Sequence, residues 1–244
     1  MPAGKAFVDL HCHTSASFDS LAAPEAIIRA AAARGLTHLA ITDHDRIDGA
    51  LEARERARAM EPGVEILIGE EIRTRDGDLI AVFLREAVPP GLSAAETIAA
   101  IRAQGGLVGI PHPFDRTRGS LLRGAGGAGG EAFAGLESLV GLVDWVEAWN
   151  ARVMLGNGNQ RAAELAVAAG VPGVAVSDAH TVMEIGVAAT VVIGDPGTPE
   201  GLKAALAGEH DLVTGRGSVY ARFVTPTAKV VQRLRGRGRV PIAP

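Results

Sequence analysis

The sequence has a single cysteine, few aromatic residues and no long apolar run. Because Cys12 is the only cysteine among 244 residues, an intrachain disulfide and a metal cluster held by several thiolates are both excluded. Aromatic residues make up only 4% of the chain, so its core must be built from Ala, Val, Leu and Ile. No apolar run reaches the roughly 18 residues that indicate a membrane span, and the N-terminus lacks the apolar stretch of a secretory signal. We therefore expect a cytoplasmic protein with no membrane partner.

Basic residues are also slightly outnumbered, with 24 Lys and Arg against 28 Asp and Glu, for a formal net charge of −4. This balance argues against a protein that coats nucleic acid, because such proteins carry a basic surface. Lysine is scarce, and its only positions are Lys5, Lys203 and Lys229. Five cations without any acid nevertheless fall between residues 229 and 239, and we expect residues 226–244 to form a solvated basic tail.

Short β-branched runs alternate with Ala-rich stretches along most of the chain, which is typical of parallel strands covered by helices. Strands are predicted at Ala6–Leu10, Thr37–Thr42, Val64–Ile68, Leu79–Leu84, Leu107–Ile110, Val143–Glu147, Gly173–Val176 and Ala188–Ile193. Helices are predicted at Pro24–Arg34, Asp48–Met60, Ala94–Gln104, Asn159–Ala169 and Pro199–Ala207. With seven or eight strands and no visible domain break, we expect one α/β domain over residues 1–244 with a closed or nearly closed barrel.

One segment, residues 116–130, breaks this alternation and ends in a Gly-rich tract. It is interpreted either as a flexible surface insertion or as a mobile lid, because long loops in compact domains often carry function. Arg116 and Arg118 precede its flexible part and are suited to bind an anion.

Residues of the types that bind metals follow most of the predicted strands. His11 and His13 share one side of an extended segment, so both imidazoles can reach one ion. A parallel barrel gathers the carboxyl ends of its strands on one face, where active sites form. The residues concerned are His11 and His13, then Asp43, His44 and Asp45, then Glu70 and Glu71, then His112, then Glu147 and Asn150, and finally Asp178 and His180.

This mixture of imidazoles and carboxylates favours Zn, Mn or Fe over Ca, with Mg as an alternative. There are too many candidate ligands for one ion, so two or three divalent ions are expected, bridged by a carboxylate such as Glu71. Clustered metal ions are suited to hydrolysing phosphate esters, because they generate hydroxide near neutral pH and neutralise phosphoryl charge.

Five motifs resemble those of the PHP (polymerase and histidinol phosphatase) superfamily. They are Asp9-Leu-His11-x-His13-Thr, Ile41-Thr-Asp43-His44-Asp45, Gly69-Glu-Glu71-Ile, Pro111-His112-Pro113 and Ser177-Asp178-Ala-His180, in that order between about residues 7 and 193. The resemblance implies a distorted, TIM-like (β/α)7 barrel of PHP type, with two or three metal ions at the carboxyl ends of its strands. It also implies phosphoesterase activity.

The resemblance further implies a ligand set. His11 and His13 would bind a first ion with Glu71 and Asp178, and Glu71 would bridge to a second ion that also takes His112. A third ion would lie between the side chains of Asp19, His44 and His180.

The sequence departs from the better-known branch of the family at two of these positions. Ser17-Phe18-Asp19-Ser20 replaces a Ser-Asp-Gly sequence, and Asp78 stands where a His usually follows the bridging Glu. Asp78 is therefore expected either to act as an oxygen ligand or to weaken the second site. The absence of polymerase modules makes a stand-alone hydrolase of small phosphoesters the closest comparison.

The expected substrate is a small phosphorylated molecule such as a nucleotide or sugar phosphate, with a short oligonucleotide as an alternative. Arg116, Arg118 and Arg152 are candidates for binding its phosphate, because Arg contacts phosphate in a bidentate way. Asp45 or His180 is expected to transfer a proton. Two other functions stay open, namely a metal-dependent amidohydrolase and a metal-binding regulatory module without catalysis. Amidohydrolases that use a carboxylated Lys in mid-barrel are excluded, because none of the three lysines lies there.

Overall fold

The computed structural model describes residues 4–115, 119–121, 139–153 and 156–242. Within these ranges, strands and helices alternate for most of the chain. In order, they are β1 (Lys5–Asp9), α1 (Pro24–Ala33), β2 (His38–Ile41), α2 (Asp48–Met60), β3 (Glu65–Arg73), β4 (Asp78–Val82), α3 (Ala94–Ala103), β5 (Leu107–Ile110), β6 (Trp145–Asn150), α4 (Gly158–Ala169), β7 (Gly173–Val176), β8 (Ala189–Ile193), α5 (Pro199–Ala207), β9 (Asp211–Val213) and α6 (Val219–Leu234).

The strands form one sheet in the order β7-β6-β5-β4-β3-β2-β1-β8-β9. The sheet curls until β7 meets β8, where the amide of Ala175 donates to Thr190 Oγ1 at 3.0 Å. Just beyond β1 and β7, the amide of His13 donates to the carbonyl oxygen of Ala179 at 2.9 Å. The expected α/β fold with a nearly closed barrel is therefore confirmed. The antiparallel pairs that β4 makes with β3 and β5 distort it from a regular (β/α) barrel.

Two strands extend further than their apolar runs predict. β3 continues to Arg73 instead of ending at Ile68, because its second half pairs with β4 and keeps the backbone extended. β6 runs to Asn150, with an irregularity between Glu147 and Trp149. The polar residues of these two strands therefore lie inside the strands rather than after them, which fixes their backbone by sheet hydrogen bonds.

The core is aliphatic, as the shortage of aromatic residues predicts. Trp145 is fully buried in a cluster with side chains such as Leu10 and Ile80. Helix α3 begins with a capping box, in which Ser93 and Glu96 each bond the other's backbone amide. Helix α4 is capped at its C-terminus by Gly170, whose φ of 64° is costly for any residue with a Cβ. These local signals explain why the predicted helices match the observed ones closely.

The C-terminal region differs from the expected solvated tail. Residues 219–234 form helix α6, which contains Pro226 and is preceded by the short strand β9. One face of α6 packs on the protein at a helical spacing, through Ala221, Thr225, Ala228 and Gln232. The basic residues from 229 onwards make this segment look like a solvated tail in the sequence, so the helical spacing of its buried positions was not predicted. No helix in the described part of the chain is both long enough and apolar enough to cross a membrane.

Candidate metal centre

The first candidate ligands lie just beyond β1. His11 and His13 are fully buried, and their Nε2 atoms lie 3.0 Å apart. Glu147 Oε1 lies 2.7 Å from His11 Nδ1, and because a carboxylate accepts here, the neutral ring would carry its proton on Nδ1 and offer the lone pair of Nε2 to a metal ion. The two imidazoles thus present nitrogen donors to one point, as their i, i+2 spacing predicts.

The structure brings all nine predicted ligands together in three groups. In each group, one nitrogen or oxygen atom per residue lies within 4.8 Å of the others. The groups are His13, Asp19, His44 and His180; His11, His13 and Asp178; and Glu71, Asp78 and His112. His13 belongs to the first two groups and joins them.

Glu71 connects the groups through both of its carboxylate oxygens. Its Oε2 lies 3.2 Å from His11 Nε2 and 3.3 Å from His13 Nε2, while its Oε1 lies 3.1 Å from His112 Nε2. The Nδ1 of His44 is also 3.2 Å from Oε2. A carboxylate placed this way can bridge two ions, one on each oxygen.

The loop that carries Asp19 lies between β1 and α1. The Oδ2 atom of Asp19 is 3.4 Å from the Nε2 atoms of both His44 and His180. Its other oxygen accepts a hydrogen bond from Ser17 Oγ at 2.8 Å. The Ser20 hydroxyl bonds the backbone oxygen of His180 at 3.0 Å, which ties this loop to the ligand after β7. Asp19 therefore occupies the position that the resemblance implies, despite the altered motif.

Asp78 begins β4, opposite Arg73 of β3, and this places it beside Glu71 and His112. Burial and the Glu71 charge raise the pKa of Asp78 to about 6. The ring of His112 is held from its other side by Ser120, whose Oγ lies 3.1 Å from Nδ1. The hairpin thus presents an oxygen donor at the place where the better-known branch has a His.

Sequence reasoning noted Glu147 and Asn150 without giving them a role, and the structure shows what they touch. Besides His11, the Glu147 carboxylate accepts from the backbone amide of His112 at 2.8 Å. Asn150 Nδ2 donates to Glu147 and, at 2.9 Å, to Asp178 Oδ2. These two residues therefore orient three candidate ligands, a task that partners of metal ligands commonly perform. Their polar side chains in an otherwise apolar strand were the available signal.

The charges of the cluster are strongly coupled. Burial alone would raise the pKa of Glu71, but the adjacent His44 and His11 hold it well below its usual range. Burial disfavours the His44 cation, yet Glu71 and Asp19 outweigh this effect and raise the pKa of His44 to about 9. Burial and the Arg152 charge lower the pKa of His180 to about 3. Such a buried concentration of carboxylates needs compensating positive charge, from protons or from metal ions.

The donor set fits divalent metal ions. Donors about 2.0–2.2 Å from a shared tetrahedral ion lie roughly 3.3–3.6 Å apart, close to the observed separations. Two of the ligand positions, His112 and Asp178, also have positive φ angles of 29° and 50°. Such angles cost on the order of 1–3 kcal/mol in residues other than Gly, and they recur at sites where geometry serves function.

The residues predicted to act on the substrate differ in their hydrogen-bond partners. Asp45 Oδ1 accepts from the backbone amide of Arg73 at 2.8 Å, and Oδ2 lies 3.5 Å from its guanidinium. The Nδ1–H of His180 donates to the backbone oxygen of Asp178 at 3.0 Å, which leaves Nε2 unprotonated. Arg116 and Arg118 lie outside the described residues, as does most of the segment 116–130.

A pocket of about 850 Å³ opens above the cluster. Candidate ligands such as Asp19, His44 and Glu71 line it. The remaining lining includes two aromatic rings and four cations, namely Phe18, Phe114, Arg152, Arg161, Lys229 and Arg239. A pocket lined both by candidate metal ligands and by cations is suited to an anion that contacts both.

Two family models match separate parts of the chain. The family model described as "PHP domain" matches residues 9–109, and the model "PHP-associated" matches residues 156–209. An uncharacterized protein of Methanocaldococcus jannaschii is 42% identical over 116 residues, which cover 43% of this chain and 67% of that protein.

Solved structures share the fold at low sequence identity. A two-domain protein of Bacteroides vulgatus containing a predicted PHP-like metal-dependent phosphoesterase is similar with a TM-score of 0.70 and 18% identity. The match covers 87% of this chain and 66% of that one. The lesion-specific endonuclease Q of Pyrococcus furiosus gives a TM-score of 0.57 and 16% identity, over 86% of this chain and 58% of that one.

Proposed function

This chain belongs to the PHP family, and from that premise we propose that it is a metal-dependent phosphoesterase that hydrolyses small phosphate monoesters or nucleotides. One observation supports the proposal above the others. Glu71 places one carboxylate oxygen against His11 and His13 and the other against His112, which suits a carboxylate bridging two ions. All nine candidate ligands belong to the three groups that Glu71 and its imidazole neighbours connect.

We propose two or three divalent ions, held by the three groups of residues defined above. The mixture of imidazole and carboxylate donors favours Mn, Zn or Fe, with Mg as an alternative. Divalent ions bound there would supply hydroxide near neutral pH and neutralise charge on the phosphoryl group.

The chain's own residues would position the substrate. Arg152 lines the pocket, and its Nη1 is buried with no hydrogen-bond partner among the residues that the structure describes. Its Nη2 donates to Thr225 Oγ1 at 3.0 Å, which fixes the guanidinium. A fixed guanidinium with an unused donor is suited to bind a phosphate oxygen. Arg118 and Arg116 keep the same predicted role.

His180 fits ligation better than proton transfer, since its Nε2 faces Asp19 and carries the lone pair. For Asp45, the bonds to Arg73 favour a role in holding β3 near the cluster over direct contact with substrate. The variants His180→Ala and Asp45→Asn each test one of these two proposed assignments. Loss of metal is expected for the first variant, and retention of metal for the second.

The substrate class is proposed from the pocket. Its volume exceeds what a phosphate group alone needs, so the alcohol part of a nucleotide or sugar phosphate can enter as well. A short oligonucleotide is the alternative, and it is the substrate class closer to the endonuclease activity named for the Pyrococcus furiosus neighbour.

The experiment is metal analysis of purified protein, followed by phosphate release from mononucleotides, 3′,5′-bisphosphates, histidinol phosphate and short oligonucleotides. We expect at least two ions per chain and turnover on one of these classes. The variant Glu71→Ala should lose metal and turnover together, whereas Glu164→Ala on the exposed side of α4 should keep both. Full metal content with no turnover on any phosphoester would favour the regulatory module, and turnover on amides alone would favour an amidohydrolase.

A further inference from the structure

The basic C-terminal region supplies none of the candidate metal ligands, yet it lies at the pocket. Lys229 in helix α6 and Arg239 beyond its end both line the same cavity as the candidate ligands. The two residues come from the charge run that the sequence presents as a tail. Solubility alone does not explain why these two cations line a pocket beside the candidate metal ligands.

The placement of this region is fixed by buried contacts. Gln232 is fully buried, and its Nε2 donates to the backbone oxygens of Ser15 at 2.7 Å, Ser17 at 3.0 Å and Ser20 at 2.8 Å. Beyond the helix, Arg73 donates to the backbone oxygen of Val240 at 2.7 Å. The segment is therefore anchored on both sides of Arg239, and its cations are held over the pocket.

Both cations approach the ring of Phe18. Lys229 Nζ and the guanidinium carbon of Arg239 each lie 5.3 Å from the ring centroid, a distance typical of cation–π contacts. On another side, the Phe18 ring centroid lies 4.9 Å from that of His44. Phe18 thus contacts the two cations as well as a candidate metal ligand, so an anion bound to the cations would lie next to the metal centre, and a substrate with two phosphate groups could reach both.

Lys229 and Arg239 have few carboxylates close by, so their positive charge can act on an anionic ligand. Within the described ranges, Lys229 has no carboxylate within ion-pair distance. Among the described residues, the carboxylate within ion-pair distance of Arg239 is that of Asp45 at 4.0 Å, and Asp45 is already bonded to Arg73. Two cations side by side in a pocket favour a ligand with more than one negative charge, and phosphate is matched by a Lys point charge and an Arg fork together.

We infer that Lys229 and Arg239 form a second anion subsite, which binds a second phosphate group of the substrate while the first lies at the metal centre. This inference rests on the proposed function, since it needs a substrate at that centre. The other two cations of the lining are held elsewhere, since Arg161 lies over the ring of Phe114 and Arg152 is bonded to Thr225. Two kinds of substrate could supply this second phosphate group, namely a small bisphosphate and a nucleic-acid strand with its internucleotide phosphate.

The test measures the kcat/KM of the metal-loaded protein for pairs of matched substrates. One arm uses fructose 1,6-bisphosphate against fructose 6-phosphate, and the other uses the 5′-phosphorylated dinucleotide pApA against AMP. We expect kcat/KM to favour the doubly phosphorylated member in one arm, and that arm identifies the source. In the variant Lys229→Met with Arg239→Gln this ratio should fall about 10–100-fold, the range of one or two charge-assisted hydrogen bonds.

The matched control is Arg233→Gln with Arg235→Gln, which removes the same charge from exposed positions of the same segment and should leave the ratio unchanged. An equal ratio in variant and wild type, or no preference in either arm, would overturn the subsite. Metal content and thermal unfolding of each variant show that it is folded and loaded. If the wild type hydrolyses nothing, the proposed function fails, and the subsite is then judged by calorimetric binding of the same four compounds. A subsite there would bind the doubly phosphorylated compound more tightly in the wild type than in the variant.

Discussion

The side-chain amide nitrogen of Gln232 lies 2.8 Å from the backbone oxygen of Ser20, although 212 residues separate the two in sequence. The same nitrogen reaches the backbone oxygens of Ser15 and Ser17, so one amide group holds the loop that carries Asp19. The C-terminal helix is in this way part of the support for the candidate ligands.

We expect Gln232→Leu to weaken both the fold and one metal position. The variant keeps most of the buried volume but leaves backbone carbonyls unpaired, at a cost of about 1–3 kcal/mol in the free energy of unfolding. Asp19 should lose its fixed position, so metal content should fall for the group that contains it, while the His11 group is retained. Urea unfolding and elemental analysis measure the two effects. The adjacent exposed variant Arg233→Gln is the control, and full metal content in Gln232→Leu would contradict the prediction.

The extent to which the site could be predicted depends on how local each signal is. The spacing of His11 and His13 and the alternation of strands and helices are local, and they place these side chains on one barrel face. Asp19 and Asp78 needed the family resemblance, because a loop and a hairpin bring them in. Gln232 offers no local signal at all, since its partners are carbonyl groups far away in sequence. Contacts made by the packing of a terminal helix are the part that sequence periodicity does not reveal.

Removing the Glu147 carboxylate should weaken metal binding although Glu147 is not among the candidate ligands. It receives hydrogen bonds from His11, His112 and Asn150, so Glu147→Ala frees two ligands at once. We expect metal affinity to fall about 10–100-fold, the usual effect of losing such a partner. Glu147→Gln keeps one acceptor oxygen and should lose less. Competition with a fluorescent chelator measures the affinity, and Glu164→Gln on α4 is the matched control; equal affinities in all of these variants would refute the orienting role.

Because His13 belongs to two ligand groups, we expect the loss of its imidazole to release more metal than the loss of an imidazole that belongs to one group. His112 belongs to one group and His13 to two, so His13→Ala should release more metal per chain than His112→Ala. We expect His112→Ala to lose no more than one ion. His210→Ala serves as the control, because that ring bonds the backbone oxygens of Gly208 and Gly173 instead. Elemental analysis of the dialysed proteins gives the counts, and equal losses from His112→Ala and His13→Ala would show that the groups bind metal differently.

Metal binding should release protons, and its strength should rise with pH. Burial disfavours the His44 cation, but Glu71 and Asp19 prevail and raise the pKa of His44 to about 9 in the metal-free protein. Below that pH the imidazole carries a proton that an incoming ion must displace, so affinity increases from pH 6 towards 9 and levels off above it. Calorimetric titration with Mn²⁺ or Zn²⁺ in buffers of different ionisation enthalpy counts the protons released. His44→Ala removes this group, so it should release fewer protons and show a shallower pH dependence. Equal proton release by the variant and the wild type would show that another group carries the displaced proton.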